Sequence, residues 1–145
     1  MKVTVILADA AQEAKGKLFI LGGGWNVVGP NSPPTALALL VEVPWTEANR
    51  PHDLRVTLQD PDGNPALVGP ESEAIELTGQ LEVGRPPGSV AGNPFNVPMV
   101  INIPSLPLEP SSRYIWVVEI DGEEGEGSRA AFDTRARSGA QPPGS

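Results

Sequence analysis

The sequence predicts an all-β protein: an antiparallel β-sandwich of about eight to ten short strands with Greek-key, immunoglobulin-like connections. The 145 residues include 16 Gly and 17 Pro, which separate short segments of alternating apolar and polar residues. In segment 75–83, for example, Ile75, Leu77, Leu81 and Val83 share one parity. Alternate side chains lie on the same face of a strand, so each segment is predicted to bury one face and expose the other.

The strand signals fall at residues 2–8, 17–21, 25–28, 35–43, 53–60, 66–68, 75–83, 96–103, 113–120 and 128–134. Segment 35–43 is almost continuously apolar, which predicts a strand that is buried on both faces or that crosses the centre of a sandwich, with a helix as the minor alternative. Pro98 has no N–H to donate, so segment 96–103 is predicted to lie at a sheet edge or to carry a bulge. Residues 9–14 have helical propensity, with Asp9 as the N-cap, and predict one helical turn.

The sequence predicts one domain, residues 1–134, followed by a flexible C-terminal tail, residues 135–145, that has no apolar anchor. Absence of Cys excludes disulfides and thiolate metal sites and favours a reducing compartment. The net charge of −8 disfavours nucleic acid and anionic membranes as partners. No segment approaches the ~20 apolar residues of a membrane helix. We therefore predict a cytoplasmic or virion-associated protein.

A late strand supports the sandwich over a barrel. Segment 106–110 leads into 113–120, which begins with Tyr114, and a Tyr at this place is typical of the tyrosine corner of Greek-key sandwiches. The inter-sheet disulfide of antibody domains is excluded by composition. The sequence thus predicts an immunoglobulin-like arrangement without the antibody-type core.

Four segments together resemble a family of uncharacterised bacterial, above all actinobacterial, and bacteriophage proteins. They are LADAA at 7–11, GKLFILGGGW at 16–25, VPW at 43–45 with NRPH at 49–52, and VGRPPG at 83–88. The resemblance covers most of residues 1–133. It implies a compact β domain, and it carries no activity or catalytic residue onto this chain.

Two loops combine a rigid backbone with side chains that favour recognition. The candidate binding residues are Trp45, Asn49, Arg50, His52, Arg85, Pro86 and Pro87. Trp and Arg are frequent anchors at interfaces, and a preformed polyproline segment loses little entropy on binding. The alternative is structural: Asn49 and His52 lock the first loop while Trp45 packs underneath, and 84–88 only connects two strands.

Other chemistry-bearing patterns favour turns. The glycines at 22–24 lack the Lys-Ser/Thr of a phosphate loop and predict a hinge. Asp60, Asp62 and Asn64 are spaced like the start of a calcium loop, but Pro65 stands where that loop needs Gly, so a hairpin turn is predicted. The acidic segment 119–126 is interpreted as a solvated turn. We predict no metal and no cofactor.

Three classes of function remain. The first is a non-enzymatic structural or interaction protein that binds a protein partner or itself, for example as an accessory component of a larger assembly such as a phage particle. The second is a small-ligand or carbohydrate-binding module that uses Trp25, Trp45 or Trp116 as a stacking platform. The third is an enzyme using His52 and carboxylates. We favour the first and predict no enzymatic activity.

Overall fold

The computed structural model describes residues 1–137, and within them the regular structure is almost entirely β. The strands are β1 Lys2–Ala14, β2 Lys17–Gly23, β3 Val27–Val28, β4 Thr35–Val43, β5 His52–Gln59, β6 Leu67–Val68, β7 Glu73–Ala74, β8 Glu76–Leu81, β9 Phe95–Ile103, β10 Arg113–Ile120 and β11 Arg129–Thr134. A single 3-10 turn, Trp45–Glu47, is the only helical element in that range. The all-β prediction is confirmed.

Two larger sheets and one small ribbon account for the strands. The first sheet has the order β2-β1-β4-β9, the second has the order β3-β11-β10-β5-β8, and β6 pairs with β7. The pairings are antiparallel except for the short contact between β3 and β11, which is parallel. Residues 1–137 form no helix long and apolar enough to cross a membrane.

The sheets pack against each other through the apolar parity of their strands. Leu37, Leu39 and Val41 of β4 are buried in the same cluster as Val56 of β5 and Trp116 of β10. Trp116 is 2% exposed, as its parity with Val118 and Ile120 predicts. The alternation in sequence therefore builds a single core between the two sheets.

The predictions for the strands with distinctive patterns are confirmed. The apolar strand β4 lies between β1 and β9, and its residues Ala36 and Ala38 on the outer face are as buried as Leu37 and Leu39. Strand β9 is an edge of its sheet, where Pro98 lies opposite Leu40. An edge strand has one side without a partner, so it tolerates a residue that cannot donate.

The helical turn predicted for residues 9–14 is wrong, because β1 continues through them to Ala14. They pair with β2 across a two-residue turn in which Lys15 has φ 53° and Gly16 has φ 73°. Positive φ at both turn positions matches the twist of a tight hairpin. The cross-strand hydrogen bonds of this hairpin override a weak helical propensity.

Two predicted strands are shorter or paired differently. Trp25 precedes β3 rather than lying within it, after Gly22 and Gly24, whose φ values of 61° and 90° make the predicted hinge. Residues 66–68 do not form the full return strand of a hairpin with β5. Only the Ala66 N–H reaches back, to the Leu58 carbonyl at 2.9 Å, and β6 then pairs with β7.

Backbone hydrogen bonds continue one residue past the end of β11. The Arg135 N–H donates to the Val28 carbonyl at 2.9 Å, and its carbonyl accepts from Ser111 at 3.2 Å. The backbone of Arg135 is therefore part of the fold. Residues 138–145 of the predicted flexible tail lie outside the described residues.

Candidate functional site

The structure brings the two candidate loops into direct contact at one place. Asn49 joins them: its backbone N–H donates to the Val83 carbonyl at 2.8 Å, and its side-chain Oδ1 accepts from the Arg85 N–H at 3.3 Å. Asn49 has φ 63°, a left-handed conformation that Asn adopts more readily than most residues. This conformation places both of its polar groups on the second loop.

Trp45 is held between the loops by two further contacts. The Arg85 guanidinium lies 4.3 Å from the centroid of the Trp45 ring, and its Nη2 donates to the Trp45 carbonyl at 2.7 Å. Phe95, the first residue of β9, stacks on Trp45 with centroids 5.6 Å apart and planes 19° apart. Cation–π and aromatic contacts together fix a half-buried ring.

The remaining candidate residues form the exposed part of this cluster. Asn49, Arg50, Arg85, Pro86 and Pro87 are exposed. Arg50 pairs with Glu47, three residues earlier, in the turn that carries Trp45. Exposed polar and proline side chains thus surround a half-buried Trp. We call this set the Trp45–Arg85 surface; it consists of Trp45, Asn49, Arg50, Arg85, Pro86 and Pro87.

A tight turn fixes the far side of the second loop. The Ser89 N–H and hydroxyl both donate to the Pro86 carbonyl, at 3.1 and 2.7 Å, and Gly88 between them has φ 83°. The backbone of the proline pair is therefore constrained by hydrogen bonds as well as by its rings.

His52 is not part of the exposed surface, since it is only 1% exposed at the start of β5. Its Nε2 lies 2.7 Å from the Glu47 carbonyl and its Nδ1 lies 2.6 Å from the Asp121 carboxylate. Both ring nitrogens therefore lie within hydrogen-bonding distance of an oxygen that can accept. His52 thus anchors the Trp45 turn to the turn after β10, as the structural alternative describes.

Asp121 is the residue of this region that sequence reasoning missed. Besides binding His52, it accepts from the Asp53 N–H at 2.9 Å. The hydrogen bond from His52, then that from the Asp53 N–H, lower the pKa of the Asp121 carboxyl. Because 69 positions separate Asp121 from His52, no local pattern connects them. Phe95 was also missed, although it shares the inward parity of Val97 and Met99.

The geometry of His52 bears on the enzymatic alternative. A buried His bound to a carboxylate supplies two of the three members of a catalytic triad, in which the other nitrogen takes a proton from a nucleophile. Here the other nitrogen is bound to the Glu47 carbonyl, so it is not available for that transfer. Within residues 1–137, no three His, Asp or Glu side chains are grouped as a metal ion requires.

The three Trp side chains occupy different environments. Trp116 is buried in the core, and Trp25 is half-buried with its ring 6.1 Å from Phe132 in an edge-to-face contact. Trp45 is already contacted by Arg85 and Phe95. Each of the three predicted stacking residues therefore packs against other groups of the protein.

The segment with the spacing of a calcium loop forms a turn. Oδ1 of Asp60 accepts from the N–H groups of Asp62 and Asn64, at 2.9 and 3.0 Å. This is the Asx-type turn chemistry that the segment predicts. In the acidic segment, Glu124 pairs with Arg129 at 2.6 Å, which lowers the pKa of the Glu124 carboxyl.

Comparison with known proteins agrees with the resemblance at the level of the family. Neither a curated protein nor a solved structure matches the chain. A family of unknown function (DUF6941) matches residues 3–129. That match spans most of the fold, from the first core residue of β1 to the first residue of β11. The chain belongs to this family.

Proposed function

We propose that the protein is a non-enzymatic β-sandwich that acts through protein–protein contacts at the Trp45–Arg85 surface. Its role is that of an accessory component of a larger assembly, such as a phage particle, in the cytoplasm or on the virion. The observation that carries the proposal is the joining of the two loops: Arg85 reaches both the ring and the carbonyl of Trp45. Loops fixed before binding lose little entropy in a complex.

The composition of the surface supports a protein partner. Arg and Trp are enriched among the residues that dominate binding energy at interfaces. Arg50 and Arg85 supply two guanidinium groups on a protein whose net charge is −8, and Pro86 and Pro87 add rigid apolar area. A partner with acidic and aromatic groups fits this combination.

We also propose a Greek-key, immunoglobulin-like connectivity for the two sheets. The hydroxyl of Tyr114 accepts from the Glu109 N–H at 2.9 Å, five residues upstream in the crossing segment. This is the hydrogen bond that defines a tyrosine corner. The strand order also supports such a topology. In it, β4 pairs with β9 and β5 pairs with β10, although the two strands of each pair are distant in sequence.

The function is tested by affinity capture from a lysate of the organism that encodes the protein, using wild type and the Arg85→Ala and Trp45→Ala variants. We expect both variants to capture at least about 10-fold less of the same partner proteins than wild type does. The reason is that truncation of a hot-spot residue weakens binding by about 1–2 kcal/mol or more. Arg113→Ala is the matched control, because it removes an exposed Arg that pairs with Asp133 elsewhere.

Stability measurements separate binding from folding. The melting temperature of Arg85→Ala should lie within a few degrees of wild type, because Arg85 is exposed and its contacts with Trp45 lie outside the buried core. If Trp45→Ala unfolds the domain, or if Arg85→Ala and Arg113→Ala retain identical partners, the cluster only locks two loops and the proposal is wrong.

A further inference from the structure

The hairpin formed by the end of β1 and by β2 extends beyond the rest of its sheet. Strand β1 pairs with β4 through residues 2–8 and with β2 through residues 8–14. Residues 9–22 therefore form a two-stranded hairpin arm. Its outer strand, β2, is an edge of the sheet and has β1 as its one hydrogen-bonded neighbour among the described residues.

Consecutive large apolar side chains are exposed on this edge. Phe19 is 56% exposed, Ile20 is 38% exposed and Leu21 is 71% exposed. They are half of the exposed large hydrophobic residues of the described chain, the others being Val27, Leu67 and Val90 at separate places. Such a concentration on an arm that contributes little to the core indicates a contact surface.

The other long edge strands carry protection that β2 lacks. Proteins prevent edge strands from pairing with other chains by placing Pro or charged side chains on them. Strand β9 contains Pro98, and β8 exposes Glu76, Thr78 and Gln80. Residues 18–21 of β2 contain neither Pro nor charge. Within residues 1–137, the backbone groups on the outer side of β2 face no other strand, so they are open to pairing.

Charge points to a second copy of this chain as the occupant. The protein has a net charge of −8, so two copies repel each other over most of their surface. The arm differs, since Asp9 and Glu13 are balanced by Lys15 and Lys17. It is a neutral and apolar part of an acidic molecule, where self-association meets the least repulsion.

The arm is also complementary to itself in one antiparallel register. With Ile20 opposite Ile20 of the second copy, Phe19 lies opposite Leu21 and Lys17 lies opposite Gly23. No like charges then face each other, and aromatic–aliphatic pairs form across the strands. The Lys15–Lys17 end of each arm meets the base of the other, where the Asp9 carboxylate lies beside Gly22.

We propose that the protein forms a two-fold symmetric homodimer by antiparallel pairing of β2 with β2 of a second copy, centred on Ile20. The two four-stranded sheets become one continuous sheet across the interface. Such an interface is small compared with that of obligate dimers, so we expect a reversible dimer with a micromolar dissociation constant. This surface is distinct from the Trp45–Arg85 surface, and Arg85→Ala should leave dimerisation unchanged.

Sedimentation equilibrium over a series of protein concentrations tests the association. We expect the mass of wild type to rise toward twice that of the monomer. Phe19→Glu introduces a charge opposite Leu21 and should raise the dissociation constant about 30-fold or more. Leu67→Glu is the control, because Leu67 is 59% exposed outside the arm. At a protein concentration below the dissociation constant, where wild type is also monomeric, both variants should melt like wild type, since they alter exposed side chains.

Disulfide trapping tests the register, since the chain contains no Cys. In the proposed register the two Ile20 Cα atoms lie about 4.5–5.5 Å apart, within the range that a disulfide spans. Ile20→Cys should therefore form a covalent dimer on oxidation. The two Leu21 residues are diagonal neighbours about 7–8 Å apart, so Leu21→Cys, although more exposed, should cross-link far more slowly.

Three results would overturn the proposal. They are a wild type that is monomeric at every concentration, a dimer that persists unchanged in Phe19→Glu, and a Leu21→Cys variant that cross-links as fast as Ile20→Cys. A monomer whose arm binds an extended peptide of another protein would show that the occupant is not a second copy.

Discussion

At the scale of single residues, the pair of His52 and Asp121 explains how the Trp45 turn is held in place by contacts of a buried side chain. His52 is buried and binds the backbone of the turn that carries Trp45, while Asp121 binds both His52 and the backbone of Asp53. The pair therefore joins β5, the turn before it and the turn after β10. His52, which the sequence suggested as an exposed binding residue, is thus buried and holds the turn that carries the exposed residues.

The Asp121 interactions predict a loss of stability in acid. Its folded-state pKa lies below the ordinary value of 3.8, so the ionised form stabilises the fold. That contribution is complete above the unfolded-state pKa and is lost as the pH falls through the lower, folded value. We expect wild type to lose more stability than Asp121→Asn between pH 5 and pH 3, measured by urea unfolding.

A matched substitution controls for the general effect of acid. Asp62→Asn changes an exposed Asp in the turn after β5 and should follow the wild-type pH profile. The opposite result, equal acid sensitivity in wild type and Asp121→Asn, would show that the His52 contact does not stabilise the ionised carboxyl.

At the scale of elements, β4 shows how one strand serves two different faces. Leu39 is completely buried between the sheets, while its neighbour Leu40 is half-buried on the outer face of the first sheet. The sequence of β4 is continuously apolar because side chains on both of its faces are at least partly buried. The sequence pattern does not tell which face belongs to the core, but the packing of Leu37, Leu39 and Val41 against side chains of the second sheet does.

Two substitutions in β4 should therefore lower the free energy of unfolding by different amounts. Leu39→Ala leaves a cavity in the core and should destabilise the protein by about 2–5 kcal/mol. Leu40→Ala removes a partly solvated side chain and should cost about 1 kcal/mol. Urea unfolding with unchanged m-values measures both. Equal costs would indicate that the outer face is covered as thoroughly as the core.

At the scale of the whole molecule, the two sheets are joined into one unit. They share a single cluster of buried side chains. The backbone also connects them, since the Val3 N–H of β1 donates to the Glu126 carbonyl, just before β11, at 2.9 Å. Gly127 lies so close to the Val3 carbonyl that a Cβ at this position would overlap it. Among residues 1–137, the buried cluster draws on both sheets rather than on either one alone.

This sharing predicts one cooperative unfolding transition. Tryptophan fluorescence reports on Trp116 in the core, and far-UV circular dichroism reports on both sheets. At a fixed protein concentration, the two signals should give the same urea midpoint. Separate midpoints would mean that the sheets unfold independently and that residues 1–134 are not one folding unit.

The sequence by itself determined the features that depend on local periodicity. Alternation of period two located β5, β9 and β10 to within one residue and β8 to within two. Pro98 predicted an edge position or a bulge for β9, because these signals arise within one strand. The same local reasoning failed at residues 9–14. There, helical propensity is a local property, whereas the stabilising hydrogen bonds come from β2.

Only the tertiary structure decided the site. The sequence selected the loops around Trp45 and Arg85 from their composition, but it could not show that Arg85 lies on the Trp45 ring or that His52 is buried against Asp121. Contacts between residues distant along the chain depend on which strands become neighbours. That choice is made by burial of the whole apolar surface in one core, and no single segment of the sequence contains it.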